Sequence, residues 1–266
     1  MKKVTIIATT LAVCVAVSVF LFRSRPKFES IPVNVFAELI DSAEVKIVDV
    51  SIEYEYDKGH ISGTDSLIVI DSSYDGLTIY YPQYSSVNLE CNPASPESDP
   101  NAIFACAAAF TDSEGRVMGD YVSHGSLHSG NRSSYGCFVW YDGKWEFTTS
   151  DAAPAALKRA EEGKGMGFRQ LRLIHEGKKI GNRTQGEWIF RALCEKDGIL
   201  CVTQSSWPMG ITDFINLMHK AGIQYAIYLG MGGWNHSWYR KYDGSTVSYI
   251  FKFSHDSYSN WLTFYK

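Results

Sequence analysis

The sequence predicts an α/β or α+β domain built on a mixed β-sheet, with several hairpins, one βαβ crossover and few helices. A membrane-spanning or signal segment precedes it. Three observations predict this architecture. Four Asp-Gly pairs lie between strand-like runs, two amphipathic stretches with helix punctuation interrupt the strand pattern, and one long uncharged run occupies the N-terminus.

The pairs are Asp75-Gly76, Asp142-Gly143, Asp197-Gly198 and Asp243-Gly244. Asp-Gly tolerates the positive φ angles of tight turns, so each predicts a hairpin. Phe138 to Tyr141 and Trp145 to Phe147 flank the second pair as matched strands. Val247, Tyr249, Phe251 and Phe253 alternate with mostly polar residues, as in a strand with one buried face.

Asn34 to Ala43 reads as a short helix carrying Val35, Phe36, Leu39 and Ile40 on one face. A second helix starts after Ser150 or Asp151 as cap, has Pro154 in its opening turn and ends near Glu162. A third is capped by Thr212, turns Phe214, Leu217, Met218 and Ala221 inward and stops at Gly222. It lies between strands at 199–203 and 224–229, which predicts a crossover joining two parallel neighbours. Ligand sites favour the strand ends beside such helices. Residues 92–100 read as a surface loop, and no internal repeat is present.

The chain of 266 residues is 45% hydrophobic and 20% charged, enough apolar surface for a core without disulfides or metals. Residues 1–27 hold five basic side chains and no acid, leaving 20 basic against 29 acidic residues in 28–266, a net of −9. A body that acidic repels phosphate backbones, which argues against nucleic acid as a partner. Val4 to Phe22 carries no charge over 19 residues and as a helix spans about 28 Å, near the thickness of a bilayer core. No small-x-small cleavage site follows, so an uncleaved anchor is expected over a removed signal peptide. The organisation read from this is a segment 1–27, with membrane contact through 4–22, and a single domain 28–266. An extracytoplasmic, cell-envelope location is expected.

Of six cysteines, Cys14 falls in the hydrophobic run. The Asp197-Gly198 turn sets Cys194 opposite Cys201, at a separation compatible with a disulfide. The alternative is a pair of small buried hydrophobes. Cys91, Cys106 and Cys137 suit no common zinc spacing, and His124 and His128 sit among loop-forming neighbours. No metal or cofactor is expected.

The stretch from Leu229 to His236 places three glycines, Gly230, Gly232 and Gly233, directly after the crossover strand. Such a loop brings main-chain N–H groups close to a ligand. Arg183 is a cation suited to phosphate or carboxylate. Asn235 and His236, beside Trp234 and Trp238, fit contact with a sugar, and equally these aromatics fit a core.

The order of these blocks resembles the phosphodiester glycosidase domain family. Residues 103–110 resemble its strand and Asn-Gly-Gly-Phe-Phe block. Residues 171–178 resemble its strand and short Gly turn, 181–186 its Arg-Thr block, and 210–233 its Gly, helix and Leu-Asp-Gly-Gly-Gly-Ser block. The likeness covers about 90–240. It implies removal of a sugar from a sugar-phosphodiester by hydrolysis, with Arg183, Thr184, Glu187 and Asp213 as candidate catalytic residues. The ligand-binding candidates are Gly230, Gly232, Gly233, Trp234, Asn235 and His236. The chain departs where it has Cys106-Ala107-Ala108-Ala109-Phe110, and where Gly230 and Trp234 replace the family's aspartate and serine. Glycoside hydrolysis ordinarily uses two carboxylates. The expected function is therefore an envelope protein that hydrolyses or binds a sugar-phosphodiester or related glycan. The alternative is a catalytically silent glycan-binding or structural protein on the same fold.

Overall fold

Asp-Gly turn chemistry organises most of the β-structure. The computed structural model describes residues 67–91, 94–131, 133–181, 185–230, 235–251 and 260–266. The helix expected at 34–43, the segment 4–22 and the boundary at 27/28 lie outside these residues. Among the described residues, no helix is long and apolar enough to cross a membrane.

Numbered in chain order, the strands form four sheets. The largest runs β1 (Ile68–Tyr74), β2 (Leu77–Pro82), β14 (Ile199–Ser205), β13 (Arg191–Lys196), β16 (Tyr225–Leu229), β10 (Arg172–His175) and β11 (Lys178–Lys179). A second holds β18 (Thr246–Phe251), β17 (Asn235–Arg240), β4 (Ala102–Ala107), β19 (Trp261–Tyr265) and β3 (Ser86–Glu90). A third holds β6 (Ser126–His128), β5 (Tyr121–Ser123), β9 (Met166–Gln170), β7 (Gly136–Tyr141) and β8 (Lys144–Thr148). β12 (Glu187–Trp188) and β15 (Met209–Gly210) make a two-stranded ribbon. The α-helices are α1 (Ala153–Glu162) and α2 (Ile211–Lys220).

All four Asp-Gly pairs turn hairpins, joining β1 to β2, β7 to β8, β13 to β14 and β17 to β18. Asp142 and Asp197 take positive φ together with the glycine that follows, as a two-residue mirror-image turn requires. His124-Gly125 and Glu176-Gly177 do the same between β5 and β6 and between β10 and β11. The stretch containing His124 and His128 is therefore a hairpin. His124 meets Glu90 while His128 stacks on Tyr121, so the two imidazoles do not converge.

The strand pairings differ from expectation in one respect that matters. Every ladder between the described strands is antiparallel. The architecture is thus β-rich, on the α+β side of the prediction, without a mixed sheet. β14 and β16 point the same way in one sheet but are not neighbours, because β13 lies between them. The tight turn at 197–198 pairs β13 with β14 first. α2 then carries the chain over so that β16 docks on the free edge of β13.

Alternation along the central strands explains the layering. Leu193, Val202 and Ile227 face Phe104, Leu262 and Phe168 from the two five-stranded sheets. Ala192, Cys194 and Cys201 face Phe214 and Met218 of α2. Both faces of this sheet are therefore covered, and each fully buried large side chain contributes about 1.5–3 kcal/mol. α1 covers the third sheet through Ala156, Leu157 and Ala160. Trp238 and Trp261 fill a separate cluster with Ala102 and Ala105.

Helix ends also depart from expectation. Gly210, not Thr212, is the N-cap of α2, and Thr212 is exposed in its first turn. The N-cap of α1 is Ala152, without a side-chain cap, and the Ser150 hydroxyl donates to Asp151. The end of α2 is as read: Gly222 takes φ +85 and Ile223 N–H donates back to Met218. Ile211 and Ile215 join the buried face, while Leu217 is only half-buried.

At the end of β10, His175 packs edge-on against Tyr225 and keeps a buried Nδ1 without a hydrogen-bond partner. Burial, helped by Arg172 and opposed by Glu176, lowers its pKa. The unfolded chain then binds a proton that the folded chain resists. Stability is expected to fall as pH drops through the ordinary histidine range near 6.5. In denaturant titrations from pH 8 to pH 5, His175→Phe should flatten that loss. An unchanged pH slope would refute the assignment.

Candidate functional site

The C-terminal ends of β14 and β16 meet the start of β13 in one row: Arg191 is in register with both Gln204 and Leu229. Gly230 follows directly. Its φ is +139, and a Cβ placed there would stand 3.0 Å from the Tyr228 hydroxyl. The Gly230 N–H donates to the Ala108 carbonyl at 3.1 Å, tying the end of β16 to the segment after β4.

That segment is Ala107-Ala108-Ala109, fully buried. Two polar side chains hold its main chain. Asn260 accepts the Ala109 N–H on Oδ1 at 2.8 Å and donates Nδ2 to the Ala109 carbonyl at 3.0 Å. Gln170, at the end of β9, donates Nε2 to the carbonyls of Ala108 and Gly230 at 3.3 and 3.5 Å. Its own Oε1 accepts the Leu171 N–H. Buried side-chain amides of this kind must be satisfied, so they lock both segments in register.

Beneath them sits Arg191, 1% exposed. Its guanidinium donates to Gln204 Oε1, to Ser237 Oγ at 2.8 Å and to the His236 carbonyl at 3.5 Å. Burial lowers its pKa, with Cys106, Tyr80 and Tyr228 acting the other way. It joins the largest sheet to β17 of the second. An arginine opening a strand with apolar neighbours on both sides, Phe190 and Ala192, was the sequence signal for this role. Asn260 and Gln170 offered none, since their partners are remote in the chain.

The sequence-selected residues fall in three groups. Arg183, Thr184, Gly232, Gly233 and Trp234 lie outside the described residues. Asn235 opens β17, and His236 packs its ring against Trp261 at 5.0 Å. Trp238 is fully buried, so it belongs to a core and not to a ligand wall. Glu187 and Asp213 are brought to one place: β12 pairs with β15 so that Glu187 lies opposite Gly210, the N-cap of the helix whose first turn carries Asp213. Both carboxylates are exposed.

Cys194 and Cys201 hold the predicted register as direct cross-strand partners, but both are free thiols. Cys194 Sγ instead contacts Thr203 Oγ1 at 3.3 Å and Met218 Sδ at 3.8 Å under α2. Burial pushes the Cys194 thiol up to about 12 and the Cys201 thiol well above its ordinary value. Thiolate is the reactive form, so neither is expected to react with an aromatic disulfide reagent in the native protein at pH 7. Fast native labelling of either thiol would contradict this packing.

In fold, the described domain is phosphodiester glycosidase-like. The likeness is to the catalytic domain of zebrafish N-acetylglucosamine-1-phosphodiester α-N-acetylglucosaminidase, auto-inhibited by its pro-peptide. The TM-score is 0.52 at 14% identity, covering 76% of this chain and 82% of that one. A hypothetical protein from Synechocystis aligns with a TM-score of 0.49 at 11% identity, covering 76% of this chain and 61% of that one. No family model matches the chain, and no curated protein matches it in sequence.

Proposed function

We propose that this chain is a phosphodiester glycosidase-like protein of the cell envelope, tethered or exported through residues 4–22. In this reading it binds a sugar-phosphodiester or related glycan at the ends of β14 and β16, and it hydrolyses that ligand slowly or not at all. The fold likeness supports the ligand class. The observation that carries the weak activity is the backbone at Gly230. This residue stands where the resembled family carries an aspartate, and its φ of +139 against the Tyr228 hydroxyl suits a glycine and not a carboxylate side chain. The neighbouring alanines supply no acid, and their main chain is already bonded to Asn260, Gln170 and Gly230.

The full-length protein, offered a monosaccharide-1-phosphodiester, should bind it while releasing sugar at close to the uncatalysed rate. Absence of binding defeats the proposal, and rapid release defeats its silent half. One observation favours an active hydrolase as second reading, namely the pairing that sets Glu187 beside the helix turn bearing Asp213. Turnover that vanishes in both Glu187→Gln and Asp213→Asn would establish that reading.

A further inference from the structure

The hairpin at the centre of the largest sheet brings two cysteines together. Cys194 of β13 and Cys201 of β14 are direct cross-strand partners, and both are fully buried. Counting outward from Asp197-Gly198, Lys196 and Ile199 form a hydrogen-bonded pair, Glu195 and Leu200 do not, and Cys194 and Cys201 do again. Pairs of that kind hold their Cα atoms about 5.5 Å apart. Disulfides most commonly span about 5.5–6 Å between Cα atoms, so the backbone already meets the requirement.

The side chains share a face as well. Both cysteines pack in the cluster beneath α2, with Phe214 and Met218. The Cys194 thiol leans across the hairpin, 3.3 Å from Thr203 Oγ1. Thr203 lies two residues beyond Cys201 on β14, so its side chain stands on the same face as the Cys201 thiol. Rotation about χ1 of Cys194, with no strand movement, is the change that turns this sulfur toward Cys201.

Burial governs when a bond can form. It pushes the Cys194 thiol up to about 12, and thiolate is the attacking species. Exchange is therefore slow while α2 covers the pair, and faster while the hairpin stands without its helix. The two-residue turn is a local contact that forms readily, whereas α2 has to dock across the sheet.

We propose that Cys194 and Cys201 form a disulfide when the chain folds, or opens beneath α2, in the presence of a small-molecule disulfide, which staples the two central strands. One cysteine thiolate attacks the S–S bond of the oxidant and releases its first thiol. The second cysteine then attacks the mixed disulfide and releases the other. Two cysteine thiols are oxidised, one external disulfide is reduced, and the two protons leave on the released thiols.

Trypsin supplies a direct readout, because it cuts after Arg191, Lys196 and Lys220 and so separates the two cysteines. Reduced full-length protein is held in oxidised glutathione with urea just below the unfolding midpoint, then acid-quenched, alkylated and digested. Peptide 192–196 should be recovered joined to 197–220, and sooner than in the same buffer without urea. Returned to urea-free buffer, the oxidised protein should melt about 5 °C above the reduced form, since the bridge restricts the unfolded chain. Cys201→Ala should abolish both the joined peptide and the gap in midpoint. Alkylated Cys194 and Cys201 after prolonged oxidation, glutathione retained on either, or a bond to any other cysteine would overturn the proposal. A joined peptide with a lowered midpoint would also overturn it, because the bond would then be forcing the strands out of place.

Discussion

Arg191→Ala should be the most damaging single substitution in the described domain, lowering stability by about 3–5 kcal/mol. Two costs add. The truncation leaves a void where an extended side chain was packed at 1% exposure. It also strips the donor from Gln204 Oε1, Ser237 Oγ and the His236 carbonyl, which lie between the two sheets. Domains of this kind are typically stable by only about 5–15 kcal/mol, so the variant should sit near the folding threshold. Arg191→Lys retains the charge but not the planar fork that reaches Gln204 and Ser237 together, and should recover only part of the loss. Chemical denaturation reads the effect as a shift in midpoint at constant slope. A loss below about 1 kcal/mol for the alanine variant would mean that the two sheets are held together without this residue.

Gly230→Asp tests whether a missing carboxylate alone explains weak catalysis. The expected answer is no. With φ at +139, any L side chain is strained, at about 1–3 kcal/mol, before it meets the Tyr228 hydroxyl 3.0 Å from its Cβ. The strain is carried by the backbone. It also loosens the Gly230 N–H bond to Ala108 and the Gln170 bond to the Gly230 carbonyl. Gly230→Ala should therefore lose about as much stability as Gly230→Asp, and neither should gain turnover on a monosaccharide-1-phosphodiester. Adding Tyr228→Phe relieves the contact but not the dihedral, so it should rescue little. A Gly230→Asp protein with an undiminished thermal midpoint and rising sugar release would show instead that the loop accepts the carboxylate and that its absence limits the chemistry.

Turn chemistry, helix stops and local register were legible from the residues alone. Asp-Gly at four places identified four hairpins, and counting outward from Asp197-Gly198 set Cys194 against Cys201 correctly. The end of α2 at Gly222 was equally local. These features depend on a few adjacent dihedrals and on side-chain alternation, which short stretches of sequence specify completely. The order of blocks also pointed to a phosphodiester glycosidase-like fold, and the structural likeness agrees at the level of fold.

Sequence by itself left open what depends on which faces find each other. β13 lies between β14 and β16 because a two-residue turn pairs faster and closer than a helical crossover, and the hydrophobic pattern is the same for either order. Cys194 and Cys201 are paired in register yet free, and the Cys194 thiol meets Met218 of α2, a contact set by helix docking. Asn260 reaches back across the fold to clamp Ala109, and Gln170 joins Ala108 to Gly230, through bonds that no spacing rule anticipates. Apolar neighbours hint that Arg191 opens a buried strand, but only the packing of the two sheets removes its water and supplies its partners. Then its hydrogen bonds to Gln204 and Ser237 become a requirement of burial, and the site acquires its floor.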